Sequence, residues 1–246
     1  MIPIGSVVKL RAKLPYFRLS VRLGPDNRLR RRNAMGVKPG GSADLGTAEK
    51  VLATASKLFY ANGVRAVGME WIVAESGVAK TSLYRHFRTK DELVAAFLER
   101  EDREFWQQWD GIVAAAPDAP KAELMSLMDW IGKRVSRDGY RGCPQINVAA
   151  EFADPEHPAR KVRRRHKAEM LERLRDMLAR IGVTGHEDKA IQLALLIDGA
   201  FTSDGRLSKA NASRILQDGA EALLRSTGVR RHFGAAARRY TRRPRK

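Results

Sequence analysis

The sequence lacks the features that would point to secretion or to a membrane. It contains a single cysteine, Cys143, so no internal disulfide can form, and a lone cysteine suits a reducing compartment. It has no apolar run of about 18 residues, the shortest that reads as a membrane span. Residues 1–23 also lack the continuous apolar region of a secretory signal. We therefore expect a cytoplasmic protein without a membrane partner.

Catalytic and metal-binding motifs are missing as well. The five histidines are scattered, and none has a second ligand at metal-binding spacing. Lys80-Thr81 resembles the end of a phosphate-binding loop, but Ala79 stands where that loop needs glycine. No G-x-S-x-G nucleophile motif occurs. The sequence predicts a protein that is not an enzyme and that needs no metal or cofactor.

What is abundant is positive charge, and most of it lies at the two ends. The formal net charge is +18. Residues 1–46 carry ten Lys or Arg against two acids, and residues 228–246 carry eight against none. Such a balance favours polyanionic partners, either nucleic acid or an anionic membrane surface. Because the central part is nearly neutral, however, a DNA-binding role for it has to rest on pattern rather than on total charge.

Composition divides the chain into four predicted segments. Residues 1–46 form a basic extension, either a disordered arm or an upstream extension of the reading frame with Met35 as a later start. Its Gly- and Pro-rich part from residue 24 onward is typical of a linker. We expect an ordered helical segment over 47–93, a second and larger helical segment over 94–227, and a disordered basic tail over 228–246.

Apolar spacing predicts a helix-turn-helix in the first ordered segment. The residues at 51, 55, 58 and 59 form one helical stripe, which predicts a helix over Thr47–Asn62. Gly68 and Gly77 bracket a short second helix, Met69–Glu75. A third short helix is expected over Val78–Phe87. A capping box, Thr89 followed by Glu92, then starts a fourth helix that runs toward Trp109.

The rest of the chain repeats the helical pattern, and no alternating pattern of useful length indicates a strand. We predict an all-α protein with further helices near 121–137, 142–153, 158–181, 186–203 and 207–226.

The third helix is predicted to face DNA. With Leu83 and Phe87 turned inward, its other side chains are hydrogen-bond donors and one aromatic ring, which suit base edges and phosphates. Arg85 and Lys80 are the candidates for direct base contact, since Arg or Lys to guanine is the commonest specific contact. The alternative is a merely solvated charged face. The predicted DNA-contacting residues are Lys80, Thr81, Ser82, Tyr84, Arg85, His86 and Lys90.

The stretch GVAKTSLYRHFRTKDELVAAFL (77–98), preceded by GMEWIVAESG (68–77), resembles the DNA-binding domain of TetR-family regulators. The resemblance implies a homodimeric repressor that leaves a pseudo-palindromic operator when a small-molecule effector binds. One departure is Gly68, where many members place a hydroxyl that could bond a phosphate. Glu70 and Trp71 likewise offer little to an anion. The matching signature residues are Gly77, Val78, Leu83, Tyr84, His86, Phe87, Lys90 and Leu93.

The resemblance also implies that residues 47–93 are the DNA-binding domain and that residues 94–227 form a helical ligand-binding and dimerisation domain with an effector site. Aromatic rings at 105, 106, 109 and 130 could line a cavity, although ordinary core packing is the commoner role of any single ring. Polar groups in RGCPQINVAAEF (141–152) either face the effector or serve as capping and surface groups. The candidate effector-binding residues are Phe105, Trp106, Trp109, Trp130, Cys143, Asn147 and Glu151.

Helices near the end are apolar on more than one face, which predicts a four-helix dimer seam across a two-fold axis. The alternative is that these side chains fill the core of one subunit. The candidate seam residues are Leu193, Leu196, Ile197, Phe201, Leu216 and Leu223.

The leading hypothesis is therefore a sequence-specific, ligand-responsive transcriptional regulator that acts as a repressor. The competing hypothesis is an architectural protein that coats DNA without sequence preference through its basic tails.

Overall fold

A computed structural model describes residues 42–116 and 118–226, and within these ranges the secondary structure is entirely helical. This confirms the predicted all-α class. Residues 1–41 of the predicted N-terminal extension and the whole predicted C-terminal tail, 228–246, lie outside the described residues. The helices are α1 (Ser42–Asn62), α2 (Met69–Ser76), α3 (Lys80–His86), α4 (Lys90–Ala114), α5 (Pro120–Val135), α6 (Pro144–Ala150), α7 (Pro158–Ile181), α8 (His186–Phe201) and α9 (Ala212–Arg225).

Several helix boundaries differ from the prediction by one to five residues. Helix α1 begins at Ser42 rather than Thr47 and therefore runs through Gly46. The sequence did not predict this, since a glycine in a helix interior costs about 1 kcal/mol. Helix α3 is shorter than predicted, since the backbone of Ala79 is still extended (ψ 138°). Helix α9 begins at Ala212, after turns that occupy residues 204–211.

The predicted caps are confirmed. Gly77 ends α2 in the left-handed region with φ 62°, and Gly68 is the extended N-cap of the same helix. The Thr89 side chain accepts a hydrogen bond from the Glu92 N–H at 3.1 Å. The Glu92 carboxylate reaches back to the Arg88 N–H at 2.8 Å, one residue before the cap position of an ideal capping box. These caps fix where α2 ends and where α4 begins, and α3 lies between those two points.

Two clusters of buried apolar side chains organise the helices. The first, which we call the head cluster, joins α1–α4, with large members Phe59, Ile72, Leu83 and Phe97, and it also contains Val148, Ala159 and Val162 from α6 and α7. The second, which we call the body cluster, joins α4–α9. Helix α4 belongs to both, since its first half packs in the head cluster and its Phe105–Trp109 stretch packs in the body cluster.

Of the described helices, none combines the length and apolarity needed to cross a membrane.

Candidate nucleic-acid interface and regulatory core

A glycine turn and one buried leucine position the exposed face of α3. Gly77 adopts φ +62°, a conformation that side-chain-bearing residues rarely take, and it lets the chain reverse between α2 and α3. Leu83 has no exposed surface and anchors α3 in the head cluster. The two features together produce the short-helix, tight-turn, short-helix arrangement that a DNA-reading unit requires.

The structure brings most of the predicted DNA-contacting residues to one exposed face. Lys80, Thr81, Tyr84 and Arg85 are exposed, and Lys90 is half-exposed at the start of α4. Ser82 and His86, which the sequence also predicts to contact DNA, have intermediate exposure, as Lys90 does. Residues 82 and 86 lie one turn apart beside the Leu83 stripe, so they lean against the head cluster.

Arg88 is a basic residue of this region that the sequence analysis missed. It lies exposed in the turn between α3 and α4, directly after the half-buried Phe87. Its position immediately after the recognition helix was a usable signal, since the ends of such helices commonly contact the DNA backbone.

Lys80 is paired with a carboxylate on α2. Its Nζ lies 3.3 Å from Glu70 Oε1, and the two side chains are 61% and 72% exposed. Hydrogen bonding to the backbone at the start of α2, followed by the bond from Lys80, holds the pKa of Glu70 below its ordinary value. The carboxylate is therefore charged at neutral pH and shares the exposed surface with a predicted base-contacting lysine.

The turn between α1 and α2 is bonded to the end of α6 by Glu151. The Glu151 carboxylate accepts hydrogen bonds from the N–H groups of Val64 (3.0 Å) and Arg65 (2.8 Å), while the Arg65 guanidinium donates to the Glu151 carbonyl (2.5 Å). A predicted effector-binding residue thus accepts hydrogen bonds from the turn between α1 and α2. This placement favours the capping and surface interpretation of Glu151 over the effector-facing one.

A second link joins the end of α1 to the start of α6. The Arg141 N–H donates to the Tyr60 hydroxyl at 2.9 Å, and the Arg141 guanidinium donates to the Tyr60 carbonyl at 3.1 Å. Asn147, another predicted effector contact, is exposed and donates to the Arg141 carbonyl at 2.6 Å. It too is better described as supporting this local turn, which Gly142 (φ +92°) permits.

The four predicted effector-site rings do come together, around Phe105. Its ring centroid lies 5.0 Å from that of Trp106, 5.0 Å from that of Trp130 and 6.1 Å from that of Trp109. Trp130 is half-buried and donates its indole N–H to Gln108, whereas the other three rings are buried. These ring contacts are what the ordinary core of a helical protein would also show.

The sequence analysis missed a buried polar pair beside these rings. The Asp102 carboxylate, on α4, accepts the Trp106 indole N–H at 2.9 Å and lies 2.7 Å from His166 Nδ1 on α7. His166 is 1% exposed and its ring packs against Phe105 at 4.9 Å. His166 Nε2 is buried without a hydrogen-bond partner. The Asp102–Trp106 spacing of one helical turn was a signal, but the contribution of His166, 64 residues away, was not readable.

Cys143 is buried at the start of α6 and packs in the body cluster. Burial raises the pKa of its thiol. Because the thiolate is the reactive form, this environment lowers the reactivity of the Cys143 thiol.

The predicted dimer seam is wrong for four of its six residues. Leu193, Ile197, Phe201 and Leu216 are at most 2% exposed within a single subunit, where they fill the body cluster. Leu196 and Leu223 are half-buried against the same cluster. Apolar spacing shows that a helix has two apolar faces, but it does not show which one its own subunit covers.

Different residues of α8 and α9 carry exposed apolar surface. Ile191 and Leu195, one turn apart on α8, are 44% and 65% exposed, and Ile215 on α9 is 38% exposed. Gly199 continues the α8 stripe by one further turn. The two helices pack against each other.

A comparison with known protein families gives a match over the first four helices. The family model described as "Bacterial regulatory proteins, tetR family" matches residues 51–97, which span α1 to the first turns of α4.

Two characterised regulators are similar to parts of the chain. The HTH-type transcriptional regulator LmrA of Bacillus subtilis is 29% identical over 114 residues, which are 46% of this chain and 61% of LmrA. The HTH-type transcriptional regulator QacR of Staphylococcus aureus is 38% identical over 61 residues, which are 25% of this chain and 32% of QacR. The chain thus spans less than two thirds of the length of either protein.

A solved structure is similar over a much longer stretch. SCO4454, a TetR-family transcriptional regulator from Streptomyces coelicolor, is 31% identical with a TM-score of 0.68, covering 73% of this chain and 95% of that one. Reduced NemR of Escherichia coli shares the fold with a TM-score of 0.64 at 20% identity. The likeness therefore extends beyond α1–α4 into the second half of the chain.

Proposed function

Since this chain belongs to the TetR family of transcriptional regulators, we propose that it binds operator DNA through α3 and represses transcription until a small-molecule effector releases it. The observation that carries the proposal is the exposed face of α3, held by the Gly77 turn and by Leu83. A regulatory role accounts for the chain without any catalytic step. A regulator of this kind works where the chromosome is, which for a bacterial protein is the cytoplasm.

In this proposal Arg85 and Lys80 contact base edges, because Arg and Lys can donate to guanine O6 and N7. Thr81, Tyr84 and Lys90 contact phosphates, which set the register of the helix in the major groove. Arg88 joins them, since its exposed position directly after α3 suits a backbone contact. Ser82 and His86, being half-buried, have a smaller share in DNA contact than the other residues of α3.

We further propose a homodimer that uses the exposed apolar surface of α8 and α9. Ile191, Leu195 and Ile215 are large apolar side chains left open to solvent, and such surface is typical of an interface between copies. A two-fold dimer presents two copies of α3 to two half-sites, which requires a pseudo-palindromic operator.

The effector site that the contacts support best is the aromatic group around Phe105 with the Asp102–His166 pair. If His166 Nδ1–H donates to Asp102, the buried Nε2 is left as an acceptor inside an apolar wall. A buried acceptor without a partner is costly, so a molecule that brings a hydroxyl or N–H donor there would be favoured. The proposed effector is therefore an apolar, ring-containing compound with at least one hydrogen-bond donor.

The same elements offer a physical route from effector to DNA. Helix α4 runs from the head cluster into the aromatic group, and α6 is bonded to the head at both ends through Tyr60 and Glu151. Coupling between two such sites is typically worth about 1–3 kcal/mol.

Selection of bound duplexes from a random library, followed by footprinting, tests the proposal directly. We expect a pseudo-palindrome whose half-sites are about one helical turn, or a multiple of it, apart. Selection that yields no preferred sequence would instead favour the DNA-coating alternative, in which the basic tails supply all of the affinity.

A further inference from the structure

The ion pair between α2 and α3 lies on the surface that the proposed function turns toward DNA. Glu70 is the second residue of α2, and Lys80 is the first residue of α3. Their side chains meet at 3.3 Å while both remain largely exposed. A group that approaches Lys80 from solvent therefore also approaches a carboxylate.

This arrangement affects the two kinds of DNA contact in opposite ways. A phosphate that binds Lys80 would lie within a few ångströms of the Glu70 carboxylate, and the two negative charges repel each other. A guanine edge carries no formal charge, and the partial charges of O6 and N7 meet a much weaker repulsion than a phosphate does. The lysine ammonium has three N–H donors, so it can keep one bond to Glu70 and give the other two to guanine O6 and N7.

Glu70 also restrains where the ammonium lies. A free lysine carries its ammonium on a flexible four-carbon stem with several rotatable bonds. A carboxylate that bonds the ammonium limits this freedom before DNA arrives. The ammonium is then held near Glu70 at the start of α3, with most of its side chain still exposed.

We propose that Glu70 is a positioning residue that makes Lys80 read a guanine and keeps it from acting as a general phosphate-binding lysine. This inference rests on the proposed function, because it presupposes that α3 enters the major groove. Its consequence is unusual for a DNA-binding face: removing a negative charge would strengthen binding to random DNA while weakening sequence discrimination.

The test measures the affinity of the full-length chain for the selected operator and for a random duplex of equal length, as a function of salt. The variants are Glu70→Gln, Glu75→Gln, Lys80→Gln and the double variant Glu70→Gln/Lys80→Gln. Glu75 is the matched control, because it is an exposed carboxylate on the same helix but outside the Glu70–Lys80 pair. Both single glutamine variants therefore change the net charge equally.

We expect Glu70→Gln to free Lys80 for one further phosphate. Each neutralised phosphate adds about −0.9 to the slope of log affinity against log salt, which amounts to about fivefold in affinity near 0.15 M salt. Glu70→Gln should thus bind random DNA about fivefold more tightly than Glu75→Gln does, and discrimination between operator and random DNA should fall by at least that factor. In the Lys80→Gln background the Glu70→Gln substitution should have no more effect than Glu75→Gln.

Three results would overturn the inference. Equal effects of Glu70→Gln and Glu75→Gln would show that only net charge matters. A Glu70→Gln effect that persists without Lys80 would show that the pair is not involved. Weaker binding of Glu70→Gln to both duplexes, with a lower melting temperature, would show that the pair merely holds α2 against α3. Failure of the proposed function is a separate outcome, recognised when the unmodified chain does not prefer any duplex.

Discussion

At the scale of single residues, exposure and partners separate side chains that the sequence makes look alike. Arg85 and Arg88 are both exposed basic residues near the end of α3, but only Arg85 lies on the helical face predicted to meet base edges. Cys143 and Asn147 are both polar members of the same short segment, yet one is buried in the body cluster and the other supports a surface turn.

Substitution of Arg85 by alanine should relax sequence preference. Loss of a good base contact costs about 1–3 kcal/mol of discrimination. Arg88→Ala serves as the comparison, since loss of a phosphate contact weakens binding to all sequences about equally and makes the salt slope shallower by about one. Anisotropy titrations with operator and random duplexes measure both, and an equal loss on the two duplexes for Arg85→Ala would remove its base-reading role.

The Cys143 thiol should resist modification in the folded protein. Its pKa is raised by burial, so at neutral pH even less thiolate is present than in an unfolded chain. Because the folded state then holds its proton more tightly, the free energy of unfolding should be unaffected well below pH 8.5 and should fall as the pH rises above it. Titration with a thiol reagent, with and without denaturant, checks the first point. Rapid reaction of the native protein would contradict it.

At the scale of elements, short helices with defined ends carry the function. Helix α2 has only 8 residues and α3 only 7, so neither would be stable alone. Their geometry depends on the Gly77 turn, on the Thr89 cap of α4 and on packing against α1. Helix α6 is equally short. Hydrogen bonds link the segment before it to α1, and its last residues to the turn between α1 and α2.

Gly77→Ala should destabilise the protein by about 1 kcal/mol, because alanine at φ +62° is strained. Gly111→Ala is the matched control. Gly111 lies within α4, a Cβ there would meet nothing within 4 Å, and replacing a helical glycine stabilises by about 0.5–1 kcal/mol. Urea unfolding of both variants should therefore show shifts of opposite sign. Shifts of the same sign would contradict the role given to Gly77.

Glu151→Gln should loosen the turn between α1 and α2. Hydrogen bonds to a charged acceptor contribute about 1.5–3 kcal/mol, and the neutral amide is a weaker acceptor. We expect faster amide hydrogen exchange at Val64 and Arg65 and a smaller effect of effector on operator affinity. Glu156→Gln, at an exposed residue of the α6–α7 loop, should leave both unchanged. Unaltered exchange in Glu151→Gln would mean that the bonds do not hold this turn.

At the scale of the whole molecule, the two clusters and the exposed surface of α8 and α9 define how the parts depend on one another. The head cluster includes Val148, Ala159 and Val162, so residues of α6 and α7 complete the core beneath the DNA-reading unit. A change in the packing of those helices therefore reaches the head directly.

Leu195→Glu should dissociate the proposed dimer without unfolding the subunit, since this side chain is 65% exposed. Leu193→Ala provides the contrast. Leu193 is fully buried, and large-to-small substitutions at such sites cost about 2–5 kcal/mol of stability. Sedimentation velocity and thermal unfolding distinguish the two outcomes. A Leu195→Glu protein that remains dimeric would place the interface elsewhere.

The sequence by itself determined the helical class, the helix-turn-helix, its glycine turn and the cap of α4. These features are local, because caps, turns and helical stripes involve residues only a few positions apart. Only the tertiary structure decided which apolar face of α8 lies inside. It also decided that Glu151 hydrogen-bonds the turn between α1 and α2, and that His166 pairs with Asp102. Those contacts join residues 64 to 87 positions apart. Their formation depends on how the helices pack in space, which the spacing of residues within one helix does not specify.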